Sequence, residues 1–429
     1  MSLPQSLNFL DVQRKASSSR SYRTQISSSN AKDFVMGDEV VFDLPGNVAN
    51  SYYDLGGTAY ISFEVENGTN QALSFDGQCG AYVTWDRISL TSAGATLSNV
   101  SSVGNLINIL FSTTVSPSYT GNIGRHLIGT KPSAADAGDI EDEGVQISAS
   151  GGKLKVCLPL ICLGLTQLTP ARYVPAFSRD RLQLRLQLAN AVTAFFAGGA
   201  GNVANNLVKI NNPQLTFYTC ELSPEVNAAV MQMTGGKFEM MANDWISATS
   251  SVSTSDTALT TTLGFTSGSL ESVGFSHRVS ANVADVTKHS FARVRSNLDE
   301  WNLSVNGKMY PNRSIVCKDS GAEALAELLC SRHEMHNFHA NSSLGAGYAI
   351  DTYNGTDATE PSFYTAVELE SFAQTDRVYA GINTVSAVTQ LQLKYHTAPP
   401  ANAVIDIYGL RSVKYVLDMT QLGTYEVYI

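Results

Sequence analysis

The stretch Leu182-Gln-Leu-Arg-Leu-Gln-Leu188 alternates apolar and polar side chains without a break. A strand with one face in a core and the other in water has that period of two. Its opening recurs in the second half of the chain as Leu391-Gln-Leu-Lys394. Each copy is followed by one last long strand-like run, residues 215–222 and 410–417. Upstream, Trp85 stands just before Ile88-Ser-Leu90, and Trp301 just before Leu303-Ser-Val305. The common order of tryptophan strand, LQL strand and closing strand predicts two copies of one β domain. The same alternation marks residues 40–42, 59–66, 82–90 and 214–222, then 274–280, 366–369 and 404–408. Long Gly/Ser/Asn-rich loops between these runs suit Greek-key connections better than tight meanders. A strand-rich sandwich or jelly roll is expected in each half.

Between the halves, Ser223-Pro224-Glu225 opens a helical stretch, VNAAVMQM, which Thr234-Gly235-Gly236 closes. Serine caps the helix, proline suits its first turn, and glutamate faces its positive end. This linker divides the chain into a flexible basic arm at 1–32, a first β domain at 33–222, a linker helix at 223–236, a second β domain at 237–420 and a tail at 421–429. A second helix is predicted where Ser320 caps, Glu323 takes the capping-box position, and Ala322, Leu325, Leu328 and Leu329 form an apolar stripe. It should lie over a sheet or a neighbouring chain.

Of the 429 residues 43% are apolar, but only 15% are charged, far below the usual quarter. Ser, Thr, Asn, Gln and Gly solvate this surface, and the apolar content excludes disorder for most of the chain. The net charge of -10, from 28 basic and 38 acidic residues, argues against a surface that coats nucleic acid. The arm is the exception, carrying Arg14, Lys15, Arg20, Arg23 and Lys32 against Asp11 alone. Its Leu3, Leu7 and Leu10 recur at helical spacing, so its first dozen residues can form a short amphipathic helix on a partner. The apolar run 156–165 contains Pro159 and is too short to span a bilayer. The opening MSLPQSLNFLDVQRK lacks the long apolar region of a secretion signal, so synthesis in a cytosol is expected. Cys79, Cys157, Cys162, Cys220, Cys317 and Cys330 are then free thiols, and the six Asn-x-Ser/Thr sequences at Asn67, Asn99, Asn302, Asn312, Asn341 and Asn354 carry little weight.

Cys330, His333, His336 and His339 follow one another at intervals of three. All are metal-capable, but steps of three rotate around a helix of 3.6 residues per turn, so four ligands do not converge on one ion. His333-Glu-Met-His336 also misses the H-E-x-x-H zinc pattern by one residue. The acidic loop Asp136, Asp139, Glu141, Asp142 and Glu143 departs from the calcium-loop spacing. No phosphate loop, dinucleotide turn or nucleophile elbow occurs. No catalytic, cofactor-binding or metal-binding residue is assigned, no cofactor is expected, and enzyme activity is not.

Three motifs, in order, resemble those of the double jelly-roll major capsid proteins of tailless icosahedral viruses, the adenovirus, tectivirus, virophage and Polinton-like group. They are Val41-Phe-Asp-Leu-Pro45-Gly46 leading into Tyr53-Asp-Leu55 and Thr58-Ala-Tyr-Ile-Ser-Phe63, then Leu222-Ser-Pro-Glu-Val226, then Leu303-Ser-Val-Asn306-Gly307-Lys-Met-Tyr310-Pro311. Asn306-Gly307 is a strong two-residue hairpin signal. The first half departs from it, with Thr91-Ser-Ala-Gly94 in the equivalent place. The resemblance implies an all-β fold of two consecutive eight-stranded antiparallel jelly rolls with a short linker helix and few loop helices. It implies a capsid subunit of a DNA virus that self-assembles as homotrimeric, pseudo-hexameric capsomers. The expected partners are its own copies, neighbouring capsomers, minor capsid or penton proteins, and genome or an inner membrane through the N-terminal arm. The expected location is the virion. A carbohydrate- or receptor-binding β sandwich of fibre or lectin type is the alternative.

Overall fold

The computed structural model describes residues 19–130, 143–169, 171–199, 203–318, 321–333, 335, 353, 362–371, 380–420 and 423–429. In the first half, Glu39–Asp43, Leu182–Leu188, Trp85–Ser92 and Ala95–Ser101 lie side by side in that order. In the second half, Ala258–Leu263, Thr389–Tyr395, Leu298–Val305 and Lys308–Val316 do the same. The two LQL strands therefore hold the same place in two copies of one sheet. Leu182, Leu184, Leu186 and Leu188 point into the core while the residues between them do not, as the pleat requires. Trp85 lies opposite Leu188 and Trp301 opposite Leu393, and both indoles are buried. Replacing either by alanine would cost about 3–5 kcal/mol.

Each four-stranded sheet packs on a larger one built around a long closing strand. In the first half that strand is Val208–Leu222, paired on one side with Tyr60–Asn67 and Ser51–Asp54. In the second it is Ala403–Asp418, paired on one side with Leu270–Val279 and Tyr425–Tyr428. The other side of Ala403–Asp418 is covered along its whole length by Lys237–Val252. Its counterpart in the first half is split into Asp33–Val35 and Ser19–Ser27.

Two boundaries therefore need correction. Residues 19–32, assigned to a flexible arm, contain the outer strand of the first barrel, in register from Ser19 opposite Leu222 to Ser27 opposite Gln214. Nearly all its residues are solvent-exposed, so it has no apolar alternation, and the backbone ladder holds it in place. The tail likewise holds a strand, Tyr425–Tyr428, whose Tyr425 ring is buried. Among the described residues the sheets are seven on four and six on four, with a separate two-stranded sheet of Leu73–Asp76 and Glu143–Ile147 in the first half; short pieces such as Val174–Pro175 and Arg293–Val294 take each barrel beyond eight strands.

The linker helix runs Pro224–Thr234. The Ser223 hydroxyl accepts from the Val226 amide at 3.4 Å, Glu225 lies in the first turn, and Gly235 closes the helix at φ 62°. The other predicted helix spans Ala322–Cys330 but starts from Gly321 at φ 64°. Ser320 lies outside the described residues, and Glu323 pairs with Arg313 at 3.0 Å. A further helix, Val103–Thr114, is buried over most of its length.

Candidate functional site

Among the described residues the densest network of buried polar groups lies in the seam between the barrels. The helix Val103–Thr114 leaves the first barrel with Asn105, Asn108 and Ser112 buried on it. Asn105 Nδ2 donates to Asp406 Oδ2 at 3.1 Å and reaches Ser276 Oγ and Tyr408 OH at 3.2 Å, all three on the second barrel. Arg278 Nε donates to the same Asp406 oxygen at 2.6 Å, and Tyr408 OH returns to the Ser102 carbonyl at 2.9 Å. Arg293 donates to Asn108 and, at 2.9 Å, to Ser112. Burial opposes the charge on Arg278, but Asp406 beside it more than offsets that and holds the guanidinium above its ordinary range. Burial brings Arg293 down to about 10, with Asp76 opposing.

A second set of contacts repeats this farther along. Ser98 donates to Asp244 at 2.5 Å, and Arg411 holds the other oxygen of that carboxylate at 2.9 Å. Burial raises Asp244, with Arg411 opposing. Tyr425 OH donates to the Pro175 carbonyl at 2.5 Å, and Phe177 meets Phe238 edge-on at 5.2 Å. The fit is close at Gly164, where a Cβ would come within 2.0 Å of the Tyr415 hydroxyl oxygen. Buried polar groups in fixed partnership specify one arrangement, because any slip leaves them unpaired. The two barrels form one block.

The sequence did not point to this seam. A lone Asp406 inside Ala-Val-Ile-Asp-Ile-Tyr and His277-Arg278 inside an apolar strand were its only visible signs. The helix itself could have been found from Val103, Leu106, Ile107, Leu110 and Phe111 at helical spacing.

His333 is the one histidine of the spaced series within the described residues, and it faces Glu370 Oε2 at 3.1 Å and Glu368 Oε1 at 3.6 Å. Cys330 is half-buried, and burial raises its thiol, with Glu327 and Glu368 adding to the rise. His336 and His339 lie outside the described residues, as do Asp136, Asp139, Glu141 and Asp142; the Glu143 backbone opens a strand opposite Asp76. All six cysteines are unbridged. Asn67 and Asn302 are buried, so neither sequon presents its amide to solvent.

Two of the arm's five cations are committed to the barrel: Arg20 pairs with Glu221 at 2.6 Å, and Arg23 donates to the Tyr60 hydroxyl at 2.8 Å. Among the described residues no helix is long and apolar enough to cross a membrane. Ile123, Tyr173, Met233, Val385 and Val388 are exposed. An open cleft of about 610 Å³ is lined by Asp43, Thr91, Asp180, Arg181 and Arg185 and offers no aromatic platform for a sugar.

No protein-family profile and no curated protein sequence matches the chain. Solved structures do. PBCV-1 VP54, fitted into a cryo-EM reconstruction of the virophage Sputnik, superposes with a TM-score of 0.64 at 12% identity, covering 98% of this chain and 99% of that one. The Faustovirus major capsid protein superposes at 0.58 and 8% identity, covering 96% and 92%. The mavirus major capsid protein superposes at 0.54 and 9% identity, covering 100% and 95%. At these identities the likeness is one of fold, and the chain has the double jelly-roll fold of these proteins.

Proposed function

We propose that the chain is the major capsid protein of an icosahedral virus, a structural subunit with no catalytic step of its own. The observation that carries this reading is a double jelly-roll likeness that takes in both barrels and nearly the whole of each compared chain. A sugar-binding sandwich needs one such domain and has no use for two locked together through buried Arg278, Asp406 and Asn105. A shell tile does, because its lattice contacts must keep their angles.

Two fused barrels per chain make six similar wedges from three chains, so a homotrimer fills a hexagonal lattice position with one gene product. The exposed Ile123, Tyr173, Met233, Val385 and Val388 are suited to contacts within and between such trimers, each of obligate size, about 2,000 Å² or more. Minor capsid or penton proteins would fill the fivefold positions, and the assembled protein would reside in the virion after synthesis in a host cytosol. Contact with genome or an inner membrane narrows to residues 1–18, with Arg14 and Lys15, since Arg20 and Arg23 are engaged on the barrel. Light scattering on the full chain tests the reading: it predicts three times the chain mass of 46.0 kDa. A monomer at micromolar concentration and neutral pH contradicts it.

A further inference from the structure

The helix Ala322–Cys330 packs against the strand Thr365–Glu368 of the second barrel. Beyond it the chain turns through Ser331 and Arg332 to His333, which sits at φ 56°. The imidazole meets two carboxylates from the end of that strand, Glu370 Oε2 at 3.1 Å from Nε2 and Glu368 Oε1 at 3.6 Å from Nδ1. Glu368 and Glu370 lie two residues apart on extended chain and so share a face, while Leu369 between them is buried in the core. One ligand atom from each of the three residues lies within 4.8 Å of the others.

Glu370 is the unexplained member. Its side chain is only 3% exposed, yet among the described residues its Oε1 has no hydrogen-bond partner. A buried carboxylate oxygen left unpaired is costly, and the surroundings add to the cost. Burial raises Glu370, with Glu368 adding and His333 opposing, and burial together with Glu323 and Glu368 raises Glu327 on the facing helix. The nearby cations face other groups: Arg313 pairs with Glu323 at 3.0 Å, and Arg332 lies 5.9 Å from the centre of the Trp245 ring. Among the described residues no lysine or arginine pairs with Glu368 or Glu370, and no donor reaches Glu370 Oε1.

We propose that His333, Glu368 and Glu370 form a divalent-cation site of zinc type, with water completing the coordination. Zinc bonds of about 2.0–2.2 Å to nitrogen and oxygen set tetrahedral ligands about 3.3–3.6 Å apart. His333 Nε2 and Glu370 Oε2, 3.1 Å apart, already stand near that spacing; the 3.6 Å contact of Glu368 is to the other ring nitrogen, so its carboxylate must turn toward the shared position within a set whose ligand atoms lie within 4.8 Å of one another. Two carboxylates balance the charge of the ion, and the imidazole favours zinc over magnesium or calcium. Of the described members of the helix-spaced series, Cys330 and His333, His333 takes part. Residues three apart need not converge here, because the other two ligands are Glu368 at the end of a strand and Glu370 two residues beyond it.

The test uses the full-length protein, stripped with EDTA, dialysed and titrated with zinc chloride by calorimetry, with bound metal counted by mass spectrometry. One zinc per chain is expected, with affinity lower by about 100-fold in Glu370→Gln, since even the outer partners of ligands are worth 10- to 100-fold, and unchanged in His126→Ala. Wild-type protein that takes up no zinc overturns the proposal, as does uptake undiminished in Glu370→Gln. If that variant does not fold, cobalt(II) added to the wild-type protein decides: strong visible absorption displaced by zinc supports the site, and the weak spectrum of the hydrated ion overturns it.

Discussion

Two hairpins in equivalent places, one per barrel, close on turns of the same shape and different chemistry. In the second barrel Val305 pairs with Lys308 across Asn306-Gly307, at φ 50° and 79°. In the first, Ser92 pairs with Ala95 across Ala93-Gly94, at φ 52° and 82°. The first half departs from the Asn-Gly motif in residue type, as its sequence reads, while the turn keeps the same left-handed geometry. Asn306 tolerates the left-handed region and its Oδ1 accepts from the Val388 amide at 2.9 Å. Ala93 carries the same conformation with no such compensation, at a cost of about 1–2 kcal/mol. Strand pattern and register decide where a hairpin turns, and the turn residues then bear whatever strain that imposes. The first barrel bears more of it.

The largest expected effect concerns the outer strand. Deleting residues 2–30 removes the first barrel's counterpart of Lys237–Val252 and uncovers one edge of Val208–Leu222. Soluble, trimeric protein should be lost, whereas deleting residues 2–18 should leave yield and melting temperature unchanged. Equal behaviour of the two deletions would break the equivalence of the barrels at this edge.

The seam comes next. Asp406→Ala leaves Arg278 buried without its partner, which should cost about 3–5 kcal/mol in chemical denaturation. A loss below about 1 kcal/mol would mean that the barrels do not depend on this network.

The barrels also differ toward acid. His126, the first barrel's single histidine, is exposed, while His277 of the second is fully buried against the Tyr395 hydroxyl at 2.9 Å, and burial lowers it to about 3. Below about pH 6.5 the unfolded chain takes up a proton that the folded chain refuses. Stability should therefore fall by about 1.4 kcal/mol per pH unit from this group between pH 6.5 and 3, with no contribution above. Denaturation curves of His277→Gln should lack that share of the slope, and an identical slope would place the acid sensitivity elsewhere.

The smallest effect returns to the turns. Ala93→Asn should stabilise the chain by about 1 kcal/mol by relieving the left-handed alanine, and Asn306→Ala should cost about as much. A thermal melt in which Ala93→Asn lowers stability would show that the two turns are not alike.

What the sequence made legible was local or periodic. Ser223, Pro224 and Gly235 mark the linker helix because caps act on their own backbone. The leucines of 182–188 mark a half-buried strand because one face is core. Ser19–Ser27 was illegible for the opposite reason: mostly exposed, with only Thr24 and Ile26 half-buried, it is held chiefly by a backbone ladder that no side-chain pattern records. The seam and the His333 cluster were illegible because their partners, Asn105 with Asp406 and His333 with Glu370, are brought together only by the fold.

The central claim is that two locked barrels per chain build a threefold, six-lobed tile. Electron microscopy of the purified oligomer in negative stain tests it directly. Class averages should show threefold particles with a pseudo-hexagonal outline of six lobes, two from each chain. Particles of twofold or fourfold symmetry, or single chains, would contradict it.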